Sequence, residues 1–90
     1  MTKPQLDPDV ADVAPKESVL TVYDEQHVIT YIRLLQAEGD GADWREAARI
    51  ILHKDPERDP ERARIAYQTH LGRAKWMSEQ GRLLRGTWSN

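Results

Sequence analysis

The side chains able to do chemistry in this sequence are few, and their spacing narrows what they could do. His27, His53 and His70 are the only histidines. They fall in three different segments and lack a set of carboxylates that would complete a metal site, so no metal is expected. His70 stands on the apolar side of a helical pattern and reads as a core imidazole with its ring nitrogens satisfied. No serine, threonine or lysine sits in a nucleophile motif, and no glycine-rich loop could cradle a phosphate. Neither a catalytic residue nor a cofactor is expected, and the chain reads as non-enzymatic.

Two other sets of residues suit recognition. Arg62, Arg64, Arg73 and Lys75, with Gln68 among them on the outer side, stand on what reads as one long helix. They could meet phosphates and base edges as the second helix of a helix-turn-helix does. Glu57, Asp59 and Glu61 weigh against this, because they crowd the end of the helix that such a domain inserts into the groove. Carboxylates there suit the helix dipole but repel a phosphate backbone. The second set is the stripe Ile65, Thr69, Gly72 and Trp76, which admits two readings. A mid-helix glycine costs about 1 kcal/mol relative to alanine, so a close approach of another element at Gly72 is expected and the stripe reads as core. Alternatively Ile65, Thr69 and Trp76, with Arg73 beside them, anchor a protein partner, since tryptophan is enriched at interface hot spots.

The elements that must position these residues are helical. Residues 1–18 hold Pro4, Pro8 and Pro15 among acidic and small apolar residues, a mix read as a disordered arm. Residues 19–23, "VLTVY", are β-branched and aromatic, which predicts a short extended segment. From Asp24, a candidate N-cap, the spacing of Val28, Ile29, Ile32 and Leu35 predicts a first helix to about residue 38. Gly39 and Gly41 suit the left-handed geometry that closes it. Asp43 with Glu46 reads as a capping box opening a short second helix with Trp44, Ala47, Ala48 and Ile51 on its apolar face. After a tight connection, Asp59 as cap and Pro60 in the first turn begin a third helix that runs to about residue 80, where Gly81 ends it. Its core face is Ala63, Ala66, Tyr67, His70, Ala74 and Met77. The doubled "DPER" at Asp55 and Asp59 is a helix-start signal used twice, and Leu83 and Leu84 are expected to fold back on the core. The expectation is therefore an all-α, three-helix, helix-turn-helix-like domain over residues 19–85 with a short N-terminal extended segment, and a flexible tail over 86–90.

Ninety residues allow one small core and little room for a deep cleft. Thirteen basic against fifteen acidic residues give a net charge of -2, which does not point to a nucleic-acid binder. The distribution is uneven: four basic and ten acidic residues up to Ala47, nine basic and five acidic from Ala48. The chain has no cysteine, so disulfides and thiolate ligands are excluded and a reducing compartment is allowed. With no apolar run long enough to span a bilayer and no leader pattern, a cytoplasmic protein without membrane contact is expected.

Residues 23–84 also carry a resemblance. The stretches "YDEQHVITYIRLLQAEGDGADWREAARIIL" and "DPERARIAYQTHLGRAKWMSEQGRLL" contain Leu34-Leu35, Asp43-Trp44-Arg45-Glu46, Ala48-Arg49, Asp59-Pro60-Glu61-Arg62-Ala63-Arg64, His70-Leu71, Arg73-Ala74, Trp76-Met77 and Gly81. Together these resemble a family of small helix-turn-helix domains of unknown function found in regulators of integrative and conjugative element transfer, including FseA-type activators. For a free-standing, partly acidic domain, the resemblance implies an antiactivator that binds FseA-type activators and LuxR-type quorum-sensing regulators. Direct DNA binding through the third helix is the alternative.

Overall fold

Thr21 opens the helical part of the chain. In the computed structural model, which describes residues 3–79, its hydroxyl accepts from the Asp24 amide at 3.1 Å while the Asp24 carboxylate accepts from the Thr21 amide at 2.9 Å. This reciprocal capping box starts α1, Val22–Gln26. The extended segment expected over 19–23 is therefore corrected in its second half. Val22 and Tyr23 are helical because two satisfied backbone donors outweigh a weak β-propensity. Asp24 is consequently inside a helix and fully buried rather than a cap.

His27 (φ -110°, ψ 20°) separates α1 from α2, Val28–Gly39. Gly39 remains helical, and only Gly41 adopts the left-handed region, at φ 76°. The Gly41 amide bonds to the Glu38 carbonyl and the Ala42 amide to the Ala37 carbonyl, a Schellman closure that satisfies two otherwise orphaned acceptors. Asp43 then caps α3, Trp44–Ile50, by accepting from the Arg45 amide at 2.8 Å.

The connection from α3 to α4, Pro60–Glu79, spans residues 51–59 and is not tight. It is built rather than loose: Asp55 accepts from the Glu57 and Arg58 amides, and the Asp59 amide bonds back to the Asp55 carbonyl. Asp59 in turn accepts from the Arg62 amide at 3.3 Å, so the two "DPER" copies cap two successive turns. His53 is held at φ 59°, a left-handed conformation that costs a β-carbon-bearing residue about 1 kcal/mol.

Helix α4 packs against both α2 and α3. Ala63, Ala66 and Ala74 let those helices come close, and His70, Leu71 and Met77 fill between them. One side of the core joins Leu34, Ala47, Ile51, Leu52, Ala66 and Leu71; the other joins Tyr31, Ala74 and Met77, with Trp76 at its edge. The α4 core face expected from periodicity is buried except for Tyr67, which is half-buried and tilts against Trp44 with ring centroids 6.2 Å apart.

The disordered arm is corrected over residues 3–18. Val10 and Ala14 are buried, and Val10 belongs to the core with Leu34 and Leu71. Composition misjudged this segment because two apolar side chains suffice when polar contacts to distant residues anchor the chain around them. Gly81, Leu83, Leu84 and the tail lie outside the described residues. Among those described, no strand forms and no helix is long and apolar enough to cross a membrane.

Candidate functional site

The outer side of α4 is fixed from beneath by a buried ion pair. The Arg73 guanidinium donates to Asp24 from Nε at 3.1 Å and from Nη2 at 2.7 Å. Tyr31 donates its hydroxyl to the same carboxylate at 2.8 Å, and Thr21 adds its amide and hydroxyl. Burial alone would raise the Asp24 pKa, but the Arg73 guanidinium and the other donors hold it below the usual carboxylate range. The remaining Arg73 donors reach the carbonyls of Glu17 and Val19, and its guanidinium lies 4.1 Å from the Trp76 ring centroid. Arg73, only 6% exposed, is therefore a structural clamp rather than a free partner contact.

His70 is buried and satisfied as expected. Its Nδ1 faces the Ala66 carbonyl at 2.8 Å and its Nε2 faces the Tyr23 hydroxyl at 2.6 Å. A carbonyl can only accept, so Nδ1 carries the proton and Nε2 accepts from Tyr23. Burial lowers the His70 pKa to about 4, so the ring is neutral near pH 7. The Tyr23 hydroxyl also accepts from the Ala11 amide at 3.0 Å, tying the N-terminal segment to the core through one three-residue chain.

The stripe on α4 divides when placed in space. Ile65 is 38% exposed. Thr69 accepts from the Ala14 amide at 3.1 Å and donates to the Ile65 carbonyl at 2.8 Å. Gly72 is exposed, with nothing within 4 Å of where a β-carbon would stand. The close approach expected at Gly72 is thus absent, because residues 14–19 cross the helix at Thr69 and Arg73 instead. Trp76 is half-buried between Arg73 and the Tyr31–Met77 side of the core. Val13, Val19 and Val22, on the chain that flanks this side of α4, remain exposed with Ile65. Exposed apolar side chains of this kind are available to meet another protein.

The residues suited to DNA are placed differently. Arg62 pairs with Asp12 at 2.7 Å, Lys75 with Glu38 at 2.7 Å and Arg64 with Glu61 at 3.7 Å; Gln68 is exposed. Hydrogen bonds to these carboxylates hold Arg62 and Lys75 above their ordinary pKa values. No protein-family model and no curated protein matches the chain. Beside the connection, a shallow cleft is lined by His53, Lys54, Arg58 and Arg62, with Asp55 and Asp59 interleaved. Among the described residues, no group of three or more histidine and carboxylate side chains is placed to hold a metal.

Sequence reasoning missed Asp7, Val10, Asp12, Tyr23, Asp24 and His27. The available signal was charge: an acidic segment rich in Asp precedes a basic second half, and opposite charges within one small domain find each other.

Proposed function

We propose that this chain is a non-enzymatic antiactivator acting in the cytoplasm, a small helical domain that docks on transcription activators and keeps them from DNA. Its targets are FseA-type activators and LuxR-type quorum-sensing regulators, and its effect is to restrain excision and transfer of integrative and conjugative elements, as in antiactivators of the QseM type. The observation that carries the reading is the neutralisation of Arg62, Arg64 and Lys75 by Asp12, Glu61 and Glu38. Cations already paired with carboxylates gain less from releasing counterions on a phosphate backbone. Val13, Val19, Val22, Ile65 and Trp76 meanwhile offer apolar area for a protein.

The test is to titrate the chain into labelled promoter DNA at low salt, with and without an FseA-type activator. The expected result is no shift by the chain alone and loss of the activator's shift on its addition. Ile65→Asp, at an exposed position, should weaken that displacement on the order of tenfold, as at an interface anchor. A salt-dependent shift by the chain alone, lost on charge reversal at Arg62, Arg64 and Lys75, would replace this reading with direct DNA binding through α4.

A further inference from the structure

We infer that residues 5–14 are an exchangeable internal ligand, and that the groove holding them is a docking site for an acidic, extended peptide from another protein. The segment has no helix or strand of its own, and every hold on it is a peptide-recognition contact. The Gln5 amide donates to the Gln26 carbonyl at 3.0 Å. His27 turns Nε2 toward the Asp9 carbonyl at 2.9 Å, Tyr23 takes the Ala11 amide, and Thr69 takes the Ala14 amide. These backbone contacts are indifferent to sequence.

Selectivity comes from side chains. Asp7 bridges Arg33 at 3.1 Å and His53 at 2.9 Å, and five residues later Asp12 bridges Lys54 at 3.3 Å and Arg62 at 2.7 Å. Val10 between them and Ala14 beyond fill buried seats. The groove therefore recognises two carboxylates five residues apart, a small apolar residue between them and another after. A nucleic-acid backbone offers phosphates for the cations, but neither apolar groups for the two seats nor amides for Tyr23 and Thr69.

Exchange is possible because the ion pairs that give selectivity are exposed. The Asp7 and Asp12 side chains are 57% and 53% exposed, so their ion pairs are screened by water and salt. Only two small side chains are buried, and no internal hydrogen-bond ladder is lost on leaving. Beyond this segment the chain is pinned by the Arg73 bonds to Glu17 and Val19. The arm can thus swing out about residues 15–17 while the helices stay assembled. This inference does not depend on what the partner regulates.

The experiment uses the full chain carrying Asp7→Asn, Val10→Ser and Asp12→Asn, and a fluorescent peptide of residues 3–18 followed by anisotropy. The variant should bind the peptide at least tenfold more tightly than the unmodified chain, whose own tethered arm competes at an effective concentration of about millimolar. Binding should fall as salt rises, and a peptide with Asp7→Lys and Asp12→Lys should not bind. A variant that keeps its helical circular dichroism yet ignores the peptide, binds the lysine peptide equally, or prefers duplex DNA overturns the inference. If the substitutions cost the variant its helicity, hydrogen exchange on the unmodified chain decides. Ala11 and Ala14 amides exchanging at least tenfold faster than those of Ala74 and Met77 are expected, and equal rates would mean the arm leaves only on global unfolding.

Discussion

Asp24 accepts five hydrogen bonds, from Thr21, Tyr31 and Arg73, with no exposure to water. A carboxylate in that position is tolerable only while its cation is present. Arg73→Ala should therefore destabilise the fold by about 3 to 5 kcal/mol, the usual consequence of stranding a buried charge. Asp24→Asn with Arg73→Met should cost clearly less than the two single changes summed, which urea melts of the four proteins would reveal. His70 makes a different prediction. Its folded pKa of about 4 lies below the ordinary value of about 6.5, so the unfolded chain binds the extra proton first. Stability is then full above about pH 6.5 and falls by up to about 3 kcal/mol as the pH drops to about 4. Asp24, held low in the fold, adds its own loss only further down, as the pH falls through its folded pKa. Urea midpoints across this range should slope accordingly, and His70→Gln should flatten the upper part of the slope.

At the scale of elements, the ends of the helices are set by local chemistry. Asp43, Gly41 and the Asp59-Pro60 start were legible because a cap acts on amides two or three residues away, and the structure puts each to that use. The α4 core face was legible for the same reason, since 100° per residue is a property of the helix itself. Val22 and Tyr23 were not, because the Thr21–Asp24 exchange of hydrogen bonds overrode what their side chains prefer. Gly72 exposes another limit: its helix position was readable, but whether anything touched it was not. With open space at its β-carbon position, Gly72→Ala should raise stability by up to about 1 kcal/mol, seen as a higher melting temperature. A loss of stability would indicate an approach to α4 that the structure does not contain.

For the molecule as a whole, the N-terminal segment is held by exposed ion pairs at Asp7 and Asp12 around two buried side chains, Val10 and Ala14. Raising salt from about 0.05 to about 0.5 M shortens the screening length from over 10 Å to about 4 Å, which should weaken the exposed Asp7 and Asp12 pairs first. The expected outcome is faster hydrogen exchange at Ala11 and Ala14 with unchanged exchange across α4 and unchanged helicity. The buried Asp24–Arg73 pair, with side chains 0% and 5% exposed, should not respond over the same range.

What the sequence determined by itself is the helical class, the caps at Asp43 and Asp59, the buried side of α4 and the satisfied core imidazole of His70. Each depends on neighbours within about one helical turn or on the plain preference of apolar groups for the interior. Only the tertiary structure decided that Asp24 meets Arg73 across 49 positions, Ala14 meets Thr69 across 55 and Asp7 meets His53 across 46. Such meetings have no local signature, because an aspartate that solvates a loop and one that completes a distant ion pair are the same residue until the chain is folded. The fate of Arg62, Arg64, Arg73 and Lys75 was undecided for that reason. Periodicity gave the side of the helix they stand on, and only the packing of the other segments determined which carboxylate reached each one.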